Sequence, residues 1–281
     1  MNYSVIIPFF NEEKNVESVL NDLLKSLKSL SGTKRNFEII LVDDCSKDDT
    51  LHKLKLFSSS DFKTLIIKHK TNQSQSSAIL TGINHSNYEN IITLDGDGQN
   101  NPNDIINLIS KFENGIDMVI GWRKKRKDDY FKKILPSIIA NYFVRLFTKS
   151  KIHDHGCALK VFKKDKIDDL TNWGDFLRLL AARFASNNYL VEEVVVEHRH
   201  RIYGISNYGF NRVAYVILDL LYIKLFKNYK TKSIYIFGIF SLVSFLFSIS
   251  VFTLMIILKF LYNYSFISTP LPILAVFLFM S

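Results

Sequence analysis

What this 281-residue sequence has little of is informative first. Cysteine occurs only twice, at Cys45 and Cys157, which excludes a disulfide framework and fits a reducing compartment. Glycine-rich loops are missing. Gly82, Gly96 and Gly98 do not form a Gly-x-Gly-x-x-Gly turn opening a helix, which argues against a dinucleotide oxidoreductase. His198 and His200, or His153 and His155, could share a strand face, yet no Cys or carboxylate completes a zinc-ligand spacing around them. There is no internal repeat and no low-complexity segment. Tyr3–Phe10 is short, contains Pro8 and has no basic lead, so it does not read as a signal peptide. Acidic residues are outnumbered, 27 against 36 Lys and Arg, for a net charge of +9. Seven of the basic residues crowd between Arg123 and Lys133, against Asp128 and Asp129. Such a run is ordinarily a solvated loop. It follows no aromatic-studded face, so nucleic acid is not the expected partner.

Charge is absent altogether from Ile234 to Leu258. At about 1.5 Å per residue this stretch crosses a hydrocarbon core of roughly 30 Å, and it is predicted to be a transmembrane helix. Lys224, Lys227, Lys230 and Lys232 precede it, and the positive-inside rule then puts residues 1–233 in the cytoplasm. Beside such an anchor the basic run also suits anionic lipid head groups or a phosphorylated lipid. Phe260–Ser281 is apolar too, divided by Pro270 and Pro272. A second span beginning near Leu271 has about 17 Å of helix, short of a crossing, so a truncated span is expected. The predicted organisation is a domain over 1–230 with juxtamembrane amphipathic helices, and a membrane anchor over 231–281.

The first 120 residues alternate strand and helix patterns. Apolar runs at Tyr3–Phe9, Phe37–Val42, Thr64–Ile67, Asn90–Leu94 and Asp117–Ile120 read as short buried strands. Val16, Leu20, Leu23, Leu24, Leu27 and Leu30 give one helical face; Ile105, Ile106, Ile109 and Phe112 give another. Such alternation predicts a mostly parallel α/β sheet with helices on both faces, with ligands at the carboxyl ends of its strands. Asn11-Glu12, Asp43-Asp44 and Asp95-Gly96-Asp97 each follow a predicted strand, so three acidic sites would share one edge. Two carboxylates one residue apart at a buried strand end need a positive partner. A divalent cation carrying a nucleotide diphosphate is one, because Mg2+ or Mn2+ takes one or two carboxylates plus substrate phosphates. A polar turn before a helix starting near Pro102 is the plainer reading of that motif alone. Further on, Tyr130–Lys149 predicts a basic helix striped by Phe131, Ile134, Leu135, Ile138, Ile139, Tyr142, Phe143 and Leu146, half core and half suited to a membrane interface. Phe210–Phe226 is a second helix of this type.

Eight pieces in order add up to a resemblance: Ile6–Glu13 (IIPFFNEE), Val42–Thr50 (VDDCSKDDT), Asn72 with Gln75, Ala78 and Gly82, Leu94–Pro102 (LDGDGQNNP), Gly121-Trp122-Arg123, Leu135–Asn141 (LPSIIAN), Asp154–Lys160 (DHGCALK) and Arg201–Tyr208 (RIYGISNY). Together they resemble the inverting family-2 glycosyltransferases of GT-A fold, specifically the polyprenyl-phosphate branch that includes dolichol-phosphate-mannose-synthase-like enzymes. The resemblance spans about Tyr3 to Gly238. It implies that Pro8, Asn11, Glu12, Asp43 and Asp44 hold the nucleoside, with Gln75, Asp95 and Gly96 also on the donor side. It implies that Asp95, Asp97 and Arg123 are catalytic, and that Asp97 and Gln99, with Asp95, hold Mg2+ or Mn2+. Arg123, Lys133, Ser137 and Arg201 would face the acceptor or diphosphate phosphates, with Ser206 in a loop closing over the donor. The implied partners are a nucleotide sugar, undecaprenyl or dolichyl phosphate and the lipid bilayer; a homo-oligomer is left open. A phosphate monoester, second pKa about 6, is largely dianionic at neutral pH. It needs alignment by cations rather than a general base, and in-line attack on the anomeric carbon would invert it.

Some positions depart from the pattern. Cys45 replaces a usual Gly, and Gly98 a usual bulky apolar residue. Lys133 stands where Arg is common, and Asn207 where Lys is frequent. Leu177 fills a place where His often precedes the Arg, which counts against an acceptor role for Gly174–Arg178. A processive polysaccharide synthase is disfavoured because no Gln-x-x-Arg-Trp segment is present and neither Trp122 nor Trp173 substitutes for it. The remaining alternatives are transfer to another saccharide or soluble acceptor, and a non-catalytic membrane scaffold of the same fold.

Overall fold

The computed structural model describes residues 1–281 except 33–34, 58–60, 127–133, 149, 168–175, 201–232, 263–269 and 281. It divides into two compact units, Met1–Leu220 and Leu221–Ser281.

The first unit is built on a seven-stranded sheet ordered β3-β2-β1-β4-β6-β5-β7. The strands are β1 (Asn2–Phe9), β2 (Asn36–Asp43), β3 (Lys63–Lys68), β4 (Asn90–Thr93), β5 (Met118–Trp122), β6 (Lys160–Lys163) and β7 (Val191–Val195). β1 pairs in parallel with both β2 and β4, β2 with β3, and β5 with β7. β6 runs antiparallel to β4 on one side and to β5 on the other. Val5, Ile6 and Ile7 in β1 and Ile39 to Val42 in β2 are continuous apolar runs because helices cover both sheet faces. The five predicted strands match β1 to β5 within one or two residues; β6 and β7 were not among them.

Helix α1 (Val16–Ser31) buries Val16, Val19, Leu20, Leu23, Leu27 and Leu30, so Val19 joins the predicted stripe while Leu24 is only partly buried. α2 (Thr50–Leu56) and α3 (Gln75–Asn84) follow β2 and β3. A 3-10 turn over Pro102–Asp104 leads into α4 (Ile105–Phe112), whose buried face is Ile105, Leu108, Ile109 and Phe112. Leu108 thus takes the place predicted for Ile106, which is only partly buried. α5 (Leu135–Thr148) corrects the sequence reading more sharply. It buries Ser137, Ala140, Asn141 and Val144, while Ile138, Ile139, Tyr142 and Leu146 face outward at 38–60% exposure. The apolar stripe is therefore on the outside of this unit. α6 (Phe176–Ser186) packs Leu180, Ala181 and Phe184 into the core.

In the second unit a helix runs from Ser233 to Tyr262, and its Gly238–Leu261 stretch is long and apolar enough to cross a membrane. The Leu271–Met280 helix packs against it. Ser244 Oγ donates to the Leu278 carbonyl and Ser248 Oγ to that of Ala275, both at 2.7 Å. Such bonds satisfy small polar groups between otherwise apolar helices. The predicted Phe210–Phe226 helix lies outside the described residues.

Candidate active site

Parallel pairing places the C-terminal ends of β3, β2, β1 and β4 on one edge, and the chain order reverses at β1, where such sheets form a binding crevice. Asn11-Glu12, Asp43-Asp44 and Asp95–Asp97 meet along this edge, as predicted. The antiparallel direction of β6 adds a fourth segment. Lys160, its first residue, pairs with Thr93 of β4 and Ile120 of β5, so residues 154–159 arrive at the same edge.

On the β2 side, tight turns fix the acidic groups. Asn11 adopts a left-handed φ of 55°, its Oδ1 accepts from Lys47 N at 2.8 Å, and its own N–H donates to Ser46 Oγ at 3.0 Å. Glu12 N donates to Thr50 Oγ1 at 2.9 Å, and Pro8 lies in β1 opposite Val42. Asp43 accepts from Ser46 N at 3.3 Å. Asp44, almost fully buried, accepts from Gln73 N and Ser74 N, each at 2.9 Å. Its Oδ1 also lies 2.7 Å from His69 Nδ1, and the other ring nitrogen of His69 is 2.9 Å from Thr81 Oγ1. His69 escaped the sequence reading because a lone histidine just past a strand carries no spacing signal.

On the β4 side, Gln75 at the start of α3 donates its side-chain amide to Asp95 Oδ1. Asp97 Oδ1 accepts from Gln99 N at 3.0 Å, and Gln99 Nε2 reaches the Arg199 carbonyl at 3.4 Å. Gly96 is required by space. A methyl there would stand 2.6 Å from Phe9 Cδ1 and 2.7 Å from the Pro8 carbonyl oxygen. Gly98 turns with φ of 75°, the left-handed region glycine enters freely. The loop thus presents two carboxylates and an amide oxygen, an all-oxygen donor set suited to Mg2+ or Mn2+ with substrate phosphates completing the shell. Among the described residues, no three His, Cys, Asp or Glu side chains group as a protein-only metal cage.

Beyond β5, Arg123 forms a forked ion pair with Asp154: Nε to Oδ2 at 2.8 Å and Nη2 to Oδ1 at 3.0 Å. Both groups are nearly buried. Burial works against each charge, but the partner wins, so the guanidinium is held above its usual pKa and the carboxyl well below its own. Asp95 adds to the field on Arg123. Cys157 is buried and its thiol is pushed up to about 11 by burial. Lys160 is only 1% exposed, donates to the Cys157 carbonyl, and is brought down to about 8 by burial. Asp154 and Lys160 sat in a quoted motif without assigned roles; only the antiparallel β6 shows what they face. Ser137 is buried on α5, whereas Lys133, Arg201 and Ser206 lie outside the described residues. His153 stacks on Trp122 with ring centroids 4.5 Å apart and bonds Glu193 at 2.7 Å.

A doubly wound sheet whose acidic loops converge at the switch point has the GT-A architecture. The family model for glycosyl transferase family 2 matches residues 4–171, and the chain belongs to that family. It is 35% identical over 242 residues to a dodecaprenyl-phosphate galacturonate synthase of Rhizobium johnstonii, covering 85% of this chain and 71% of that protein. It is 34% identical over 222 residues to an undecaprenyl-phosphate 4-deoxy-4-formamido-L-arabinose transferase of Proteus mirabilis, covering 78% of this chain and 66% of that one. Among solved structures, a mannosyltransferase of Pyrobaculum calidifontis in complex with GDP-Man and Mn2+ superposes with a TM-score of 0.57 at 17% identity, over 81% of this chain and 64% of that one. Glucosyl-3-phosphoglycerate synthase of Mycobacterium tuberculosis, with Mn2+, UDP and phosphoglyceric acid, gives a TM-score of 0.57 at 15% identity, over 79% and 78%. At these identities the two structures establish the fold.

Proposed function

We propose that this protein transfers a sugar from a UDP- or GDP-linked donor to a polyprenyl phosphate, undecaprenyl or dolichyl, at the cytoplasmic membrane face, with inversion at the anomeric carbon. The observation that carries the reading is the convergence of the Asp95–Asp97 loop and the Arg123–Asp154 pair on the edge that also holds Asp44. Similarity to two polyprenyl-phosphate transferases supports the acceptor class. Pro8, Asn11, Glu12, Asp43 and Asp44 form the nucleoside side, and Gln75 orients Asp95 toward the sugar. Asp97 and Gln99, with Asp95, would hold Mg2+ or Mn2+, which supplies electrostatic stabilisation of the departing nucleoside diphosphate. Arg123, fixed by Asp154, offers a rigid cation for a phosphate, and Lys133, Ser137, Arg201 and Ser206 are assigned to the same acceptor side. The polyprenyl chain would enter the bilayer that the Gly238–Leu261 helix spans, in a domain (1–230) and anchor (231–281) arrangement.

The test is a membrane transfer assay with radiolabelled nucleotide sugars, both polyprenyl phosphates, and Mn2+ or Mg2+. Label should enter the organic phase from one donor and vanish with EDTA or in Asp97→Ala. Donor binding without any lipid-linked label would overturn the acceptor assignment.

A further inference from the structure

His69, one residue past β3, joins two parts of the donor edge that the sequence motifs leave separate. Its backbone N donates to the Asp43 carbonyl at 2.9 Å, carrying the β2–β3 ladder one step beyond Lys68. That step seats the imidazole, only 7% exposed, between Asp44 and α3. Asp44 Oδ1 accepts from Gln73 N at 2.9 Å and lies 2.7 Å from His69 Nδ1, while Oδ2 accepts from Ser74 N at 2.9 Å. A carboxylate oxygen accepts and does not donate, so Nδ1 is the ring nitrogen that carries the hydrogen. Nε2 stands 2.9 Å from Thr81 Oγ1, a hydroxyl able to donate or accept, so this end suits either state of the ring. A buried ring bonded at both nitrogens has one orientation, and it fixes the rotation of the carboxylate it meets. The other side of the network reaches the sugar end of the donor edge. Ser74, one of the two amides on Asp44, holds a φ of 97°, a region a side chain enters at a cost. Its Oγ caps α3 by accepting from Ser77 N, and Gln75, the next residue, donates to Asp95 Oδ1. One buried carboxylate therefore ties the end of β2 to the entry of α3, and His69 sets how that carboxylate is turned.

We propose that His69 is a positioning residue for the donor: it fixes the Asp44 carboxylate on the nucleoside side and, through the Gln73 and Ser74 amides that Asp44 holds, seats Gln75 against Asp95. This rests on the reading of the edge as a nucleotide-sugar site. The ring touches no substrate and moves no proton in the reaction. Its influence falls on the donor, because the residues assigned to the acceptor belong to other segments of the chain.

The experiment uses the full chain in detergent with Mn2+. Calorimetry measures binding of uridine and guanosine diphosphate, and the transfer assay gives donor KM and acceptor KM. His69→Asn keeps a hydrogen-bond donor where Nδ1 stands; His69→Gln keeps one near Nε2 and loses the bond to Asp44. His69→Gln should weaken diphosphate binding and raise donor KM by about tenfold or more, with acceptor KM unchanged. His69→Asn should stay within about threefold of wild type. In an Asp44→Ala background His69→Gln should cost nothing further, because the two residues act as one unit. Wild-type binding by folded His69→Gln, equal losses in the Asn and Gln variants, or donor and acceptor KM rising together would each overturn the proposal. Nitrogen NMR of the histidine rings serves where His69→Gln fails to fold. The resonance missing from His69→Asn is the Nδ1–H of His69, and saturating nucleoside diphosphate should shift it; no shift would overturn the proposal. A wild-type chain that binds neither diphosphate would sink the transferase reading and this role with it, a result distinct from binding that survives loss of the histidine.

Discussion

Arg123 and Asp154 lie 31 positions apart in sequence and meet through two parallel N–H to O bonds at 2.8 and 3.0 Å, nearly closed off from solvent. Fork-to-fork geometry of this kind fixes orientation as well as charge. The backbone N–H of Arg123 also reaches Asp154 Oδ2 at 3.3 Å, so the end of β5 is tied to the turn before β6.

Removing the acid should therefore harm both fold and chemistry. Asp154→Asn leaves a buried guanidinium without its counter-charge, a loss of about 3–5 kcal/mol. A lowered melting midpoint and a drop in transfer of about a hundredfold or more are expected. Wild-type kinetics would show that Arg123 needs no such anchor.

Gly96→Ala should separate metal-dependent from metal-independent nucleotide binding. The added methyl runs into the Pro8 carbonyl and the Phe9 ring, and the backbone oxygen cannot rotate aside. Overpacking of this sort costs about 1–3 kcal/mol and would push Asp95 and Asp97 off the end of β1. Calorimetry should find uridine or guanosine diphosphate binding weakened in the presence of Mn2+ and little changed in its absence. Equal loss in both conditions would argue against the metal assignment of this loop.

Cys45→Gly should stabilise the protein. Cys45 holds a φ of 65°, where a side chain costs about 1–2 kcal/mol, and a glycine's extra freedom in the unfolded chain offsets part of that. A net gain of about 0.5–1 kcal/mol is expected in chemical denaturation. Cys45→Ala, which keeps a Cβ in the same conformation, should show none of it.

His155 should contribute to an acid-sensitive limb of stability. Its pKa falls from 6.5 to about 3 on burial, so between those values the unfolded chain binds a proton that the folded chain does not. The contribution is complete above about pH 6.5 and is lost as pH drops toward 3, at about 1.4 kcal/mol per pH unit inside the window. Glu38, Glu113, Asp117 and Asp154 are held below their usual values and act only at lower pH. The stability curve of His155→Leu, followed from pH 7 to 5, should be flatter than that of wild type. Parallel curves would mean that His155 binds its proton equally well in the folded and unfolded protein, with no downward shift on burial.

Periodicity and motif order by themselves determined β1 to β5, the α1 stripe, the shared acidic edge and the apolar helix at the C-terminal side. These are local properties: a strand or helix face is written into consecutive side chains, and a parallel alternating fold then has one possible binding edge. Tertiary structure alone decided three other matters. It turned the apolar face of α5 outward, because burial depends on what packs against a helix and not on its own stripe. It gave Asp44 a partner in His69, because strand β3 delivers that side chain from 25 residues away. And it gathered Arg123, Asp154 and Lys160 around the Gly156 turn, because one antiparallel strand carries the chain back to an edge that all the parallel strands had already reached.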